Sequence, residues 1–175
     1  MFTKETINKV ADIVRKILNY DTPAYDPELA VKTLNGNIIY DITDECEDAY
    51  IEKSKDEKFE FIIHLNENKP FSRTRFTLAH ELGHLFLHMG FKTPRWNEAE
   101  TFKDSIYYRS FNRRDNNYSQ EEIEANEFAA AFLMPKEQFK NELLQASFDL
   151  HIVANTFQVS LEAATNRARN IGIMG

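Results

Sequence analysis

The residues best equipped for chemistry in this 175-residue chain are His80-Glu81-Leu82-Gly83-His84, which read His-Glu-x-x-His. A helix turns about 100° per residue, so two histidines four apart project from one face and can grip one metal ion. Glu81, next to the first histidine, can reach a water held in an open coordination position. A metal there lowers the pKa of the water and polarises a carbonyl, while Glu81 serves as general base. Phe76, Leu78, Ala79, Leu82, Leu85, Phe86 and Leu87 cover most of the same helix, predicted from Arg73 to Met89, as in a buried element. Thr77, His80, Glu81, His84 and His88 form a polar stripe through that apolar surface. Burying even one such group unpaired costs roughly 2–7 kcal/mol, and a cleft holding metal and water removes the cost. Gly83 leaves room for close approach of a neighbour.

Two histidines do not complete a catalytic zinc site, which has three protein ligands. A second predicted helix, Gln120 to Met134, offers Glu121, Glu122, Glu124 and Glu127. Helical geometry places Gln120, Glu124 and Glu127 on one side, the expected solvent face. Glu122 points the opposite way with Asn126, Ala129 and Leu133, which makes it the expected third ligand. Asn126, one turn on, is expected to orient a ligand histidine through its other ring nitrogen. A capping box, Ser119-x-x-Glu122, is the competing use of the same glutamate. Ala125, Ala129 and Ala130 fit a helix packed closely on the metal helix. His, His and Glu suit zinc, with manganese or iron as alternatives.

The elements that position these residues follow from periodicity. Ile7, Val10, Ile13, Val14, Ile17 and Leu18 predict an amphipathic helix from Lys4 to Tyr20 that closes over a sheet. Pro27 opens a short helix through Leu34, and Asn35-Gly36 is a turn. Strands are predicted at Ile38 to Ile42, near Ala49 to Glu52, and at Phe59 to Leu65. In the last of these Phe59, Phe61, Ile63 and Leu65 alternate with Glu60, Ile62 and His64, so His64 is expected at the surface. Ser72 is expected to cap the metal helix. Residues 90–119 show no sustained period and hold Trp96, the sole tryptophan. They read as a flap over the cleft or as a variable insertion. Pro135 opens a third helix with Phe139, Leu143 and Leu144 as its buried stripe. Residues 149–175 read as a helical tail of two short helices joined at Gln158-Val159-Ser160, with Ser160 as a cap. A single domain over 1–175 accommodates all of this.

Composition narrows the function classes. A formal net charge of -7 argues against general affinity for nucleic acid or anionic membranes. No apolar run reaches the roughly 20 residues of a membrane span. The first residues lack the apolar core of a signal peptide. Cys46 stands alone, which excludes an internal disulfide and a thiolate zinc cluster. The expectation is a cytoplasmic protein. Reading Ile152 to Arg169 as a DNA-binding helix-turn-helix leaves only Arg167 and Arg169 for phosphate contact, too few on an acidic chain.

Arg75 to His84, followed by Glu122-Ile123-Glu124-Ala125-Asn126-Glu127-Phe128-Ala129-Ala130 and Leu133-Met134-Pro135, closely resembles the ImmA/IrrE family of metallopeptidases. The resemblance implies an α+β, zincin-like fold, a small mixed sheet packed beside the metal helix and the second, glutamate-bearing helix. It implies His80, His84 and Glu122 as zinc ligands and Glu81 as the base. It also implies a zinc endopeptidase whose protein substrate is a helix-turn-helix transcription regulator of a phage, mobile element or stress response. A component of a toxin–antitoxin-like pair is the alternative. Such a peptidase needs a group to stabilise the oxyanion, for which His88, Tyr107, Tyr108 and Arg109 are candidates. The substrate backbone is expected to add to an edge strand, with Phe59 to Leu65 the candidate edge.

Overall fold

The computed structural model describes residues 1–43, 49–98, 107–108 and 120–173. Chain order gives α1 (Lys4–Ile17), α2 (Pro27–Thr33), β1 (Gly36–Ile42), β2 (Ala49–Lys53), β3 (Phe61–Asn66) and α3 (Phe71–Leu87). There follow α4 (Pro94–Glu98), β4 (Tyr107–Tyr108), α5 (Gln120–Leu133), α6 (Lys136–Gln145), α7 (Leu150–Phe157) and α8 (Leu161–Asn170). Helix starts follow capping chemistry. Thr3, Asp26, Asp149 and Ser160 each accept a backbone N–H in the first turn, and Pro27 occupies the first turn of α2. The helix that carries His80 and His84 departs from expectation here. It starts at Phe71, with Pro70 at the cap position and no side-chain cap bond, so Ser72 lies inside its first turn.

The sheet is mixed, with strand order β1-β3-β2-β4. β1 runs parallel to β3, and β2 is antiparallel to both β3 and β4. A bulge interrupts β1 at Asp41, between the pairs Tyr40–Leu65 and Ile42–Asn66. β3 is therefore an interior strand, not the open edge the sequence was expected to offer a substrate. Interior position also buries residues on both of its faces. Phe61, Ile63 and Leu65 enter the core, and His64 is buried too, against the expectation of surface exposure. Asp41 Oδ2 lies 2.8 Å from His64 Nδ1, Glu52 Oε1 lies 3.4 Å from Nε2, and the Tyr50 ring stacks on the imidazole.

Helices account for the rest of the core. α1 buries Ile7, Ala11 and Val14, while Ile17 is 70% exposed. It packs on α5 and not over the sheet. Residues 91–98 do not read as flap either, because Phe91 and Trp96 are core residues and Trp96 is only 4% exposed. Trp96 Nε1 donates to Glu60 Oε2 and its carbonyl accepts from Lys53 Nζ at 2.7 Å. The remainder of the proposed flap, apart from the Tyr107–Tyr108 pairing with β2, lies outside the described residues, as do Ser119 and Arg109. The tail forms the two expected helices, joined through a left-handed Gln158.

Beyond its first turn, where Gln120, Glu121 and Ile123 are exposed, α5 is covered along its length. α3 covers one flank, and α1 and α8 cover others. The assignment of Glu124 and Glu127 to solvent is overturned, since they are 3% and 7% exposed. Arg167, also turned inward, donates to Glu127 Oε1 at 3.2 Å, Asn8 Oδ1 at 2.8 Å and the Met134 carbonyl at 2.9 Å. This guanidinium is a structural bolt and offers nothing to phosphate. Removing one partner of a buried ion pair strands the other charge. Glu127→Ala should therefore cost roughly 3–5 kcal/mol, measured by chemical denaturation. A loss within about 0.5 kcal/mol, as at a surface site, would contradict the assignment.

Candidate metal centre

The site is built on the contact between α3 and α5. His80 and His84 lie one turn apart on α3, and both are buried. Their Nε2 atoms approach to 3.0 Å. Glu122, from the first turn of α5, completes a triangle: Oε2 is 3.3 Å from His80 Nε2 and Oε1 is 3.1 Å from His84 Nε2. One ligand atom from each of the three falls within 4.8 Å of the others. Three electron-pair donors aimed at one small volume are the disposition a divalent cation satisfies, and the set of two imidazoles and a carboxylate fits a metal of zinc's class. Burial pushes the Glu122 carboxyl up, but hydrogen bonds and charge from His80 and His84 outweigh it and hold the group far below the usual carboxylate range.

Close approach of the helices makes this triangle. A methyl group on Gly83 would sit 3.0 Å from Ala125 Cα and 3.1 Å from its carbonyl oxygen, so any side chain there would press α5 back by a few tenths of an ångström. The other ring atoms are engaged as well. His80 Nδ1 donates to Asn126 Oδ1 at 2.9 Å, which leaves its Nε2 as the electron-pair donor. His84 Nδ1 meets His88 Nδ1 at 2.9 Å, and His88 Nε2 meets Glu124 Oε2 at 3.2 Å. Glu81 is buried beside His80 on the same helix.

Sequence reasoning thus grouped His80, His84, Glu122 and Asn126, and the structure brings those four together. It missed Glu124, because a helical wheel carries no record of which helices will cover it. His88 was expected among the oxyanion groups, but both its ring nitrogens are engaged inside the protein. Burial lowers the His88 pKa, despite the opposing pull of Glu124. Burial pushes Glu124 up, yet hydrogen bonds from the Phe2 N–H, Gln120 and His88 hold it below its ordinary value.

A family model described as Peptidase_M78, IrrE N-terminal-like domain, matches residues 46–169. No curated protein matches the chain. Among solved structures, one titled Mycobacterium tuberculosis transcriptional regulator is similar with a TM-score of 0.59 at 16% sequence identity. The match covers 92% of this chain and 45% of that one, so the chain spans less than half the length of that protein. At this identity the likeness is one of fold.

The helix contact can be tested by filling it. Gly83→Val places methyl groups against the α5 backbone and should lower stability by roughly 1–3 kcal/mol, read by thermal melting. An unchanged melting temperature would mean that α5 can retreat without cost.

Proposed function

The chain belongs to the ImmA/IrrE family of metallopeptidases, whose IrrE N-terminal-like domain it carries over residues 46–169, and on that premise we propose a zinc-dependent endopeptidase acting on a regulatory protein. The observation that carries this reading is the convergence of His80, His84 and Glu122 at one point, with the buried Glu81 next to His80 in the same helix. Zinc bound there would supply Lewis acidity, lowering the pKa of water and polarising the scissile carbonyl. The protein's own groups do the rest. Glu81 accepts the proton of the attacking water on its carboxylate and hands it to the departing amine, so one residue serves as base and then as acid. Asn126 holds the His80 ring through Nδ1, which fixes both tautomer and plane. The closeness of α3 and α5 keeps the donor set rigid between turnovers.

The substrate class we propose is a helix-turn-helix transcription regulator, the class that the family resemblance implies. A formal charge of -7 fits a partner recognised as protein and not through its nucleic acid. Among the described residues no helix is long and apolar enough to cross a membrane.

Incubation with helix-turn-helix proteins of the same genome, with and without chelator, tests the whole reading. Chelator-sensitive cleavage of one of them is expected, and the absence of any cleavage across the set would count against the proposed substrate. Glu81→Gln should retain zinc and lose cleavage, because it removes the base and keeps the shape. Near-native turnover in that variant would exclude the mechanism. Glu122→Ala should abolish tight zinc binding, and Asn126→Ala should weaken it by roughly 10–100-fold. Both are read by elemental analysis and chelator competition, and stoichiometric zinc in Glu122→Ala would remove it from the ligand set.

A further inference from the structure

Glu124, His88 and His84 form a line that ends at the donor triangle. We infer that Glu124 and His88 are positioning residues, a two-step hydrogen-bond relay that fixes which nitrogen of His84 faces the metal. The inference rests on the metal-site reading above and concerns residues outside the set of His80, His84 and Glu122.

The direction of each bond follows from what each atom can do. Glu124 Oε1 accepts from the Phe2 backbone N–H at 2.8 Å and from Gln120 Nε2 at 3.0 Å. A carboxylate that already takes two donors on one oxygen offers its other oxygen as an acceptor. Oε2 lies 3.2 Å from His88 Nε2, so that nitrogen carries the hydrogen. A neutral imidazole with its hydrogen on Nε2 has a bare Nδ1. That bare Nδ1 lies 2.9 Å from His84 Nδ1, which must then be the donor. The hydrogen of His84 is thereby committed to Nδ1, and the lone pair of Nε2 is left pointing at His80 Nε2 and Glu122. The opposite order, with His88 carrying two hydrogens, would place the hydrogen of His84 on Nε2 and close the site.

Metal-binding histidines usually donate their second ring hydrogen directly to a carboxylate, carbonyl or water. Here a second imidazole, itself 6% exposed, stands between ligand and carboxylate. The two ligand histidines are thus set by different means: His80 by an amide on its own partner helix, and His84 by a carboxylate two bonds away. The carboxylate is in turn gripped by the segment that leads into α1.

The test is a double-mutant cycle read as zinc affinity by competition with a chromophoric chelator. His88→Ala removes the acceptor for His84 and should weaken zinc by roughly 10–100-fold. His88→Asn puts an amide oxygen where Nδ1 was and should restore affinity to within a few-fold of wild type. Glu124→Ala should weaken zinc in the wild-type background and have no further effect in His88→Asn, where the relay no longer reaches Glu124. Melting of each metal-free variant separates lost fold from lost affinity. If His88→Ala fails to fold, the Glu124→Ala comparison in the two backgrounds decides. Equal losses from Glu124→Ala in both backgrounds, or none in the wild type, overturn the relay and leave the metal site standing. A wild-type protein that binds no zinc overturns both.

Discussion

Everything at the centre depends on how closely two helices can lie. The backbone of α5 rests on Gly83 with less than the clearance of a methyl group, and that contact sets the distance from Glu122 to the two histidines. Helices joined through larger side chains sit farther apart, commonly 8–10 Å between axes. A glutamate could then reach across only in an extended, less ordered conformation. The glycine in the middle of the His-Glu-x-x-His run therefore has a packing role distinct from the chemistry of its neighbours.

The same closeness creates an electrostatic problem that the fold solves three times along α5. Glu122, Glu124 and Glu127 all leave bulk solvent, and a buried carboxylate is tolerated only when donors surround it. Glu122 faces two imidazoles, Glu124 faces His88 with the Phe2 amide and Gln120, and Glu127 faces Arg167 with Asn8. One helix thus turns three acids inward, each answered by its own set of donors. Only the set at Glu122 combines two nitrogens of a kind that can also bind metal.

Legibility in the sequence followed the range of the forces. His80, His84, Glu122 and Asn126 could be grouped because helical period is local and each pair sits on one face of one helix. The cap at Ser160 and the helix start at Pro27 were readable for the same reason. Glu124 and Glu127 were not, since their burial depends on α1 and α8, which arrive from distant parts of the chain. His64 was misread because alternation along a strand says nothing about its place in the sheet. An interior strand buries both faces, and the carboxylates that answer His64 come from neighbouring strands. Ser72 failed as a cap because the helix begins earlier, where the Pro70 carbonyl accepts from both Arg73 and Thr74.

The bulge in β1 has a consequence for life in a crowded solution. β1 ends the sheet on one side, and among the described residues no further strand pairs with it. A flat terminal strand of seven residues with Ile38, Ile39 and Ile42 would be a template on which another chain could propagate a sheet. The irregularity at Asp41 breaks the regular spacing of amide and carbonyl groups that such a newcomer must match, and it does so at an exposed, charged position. The carboxylate that steadies His64 from inside the sheet also marks the point where the ladder cannot be continued from outside. Straightening β1 and replacing that charge with an apolar side chain would turn the rim of this protein into an aggregation nucleus.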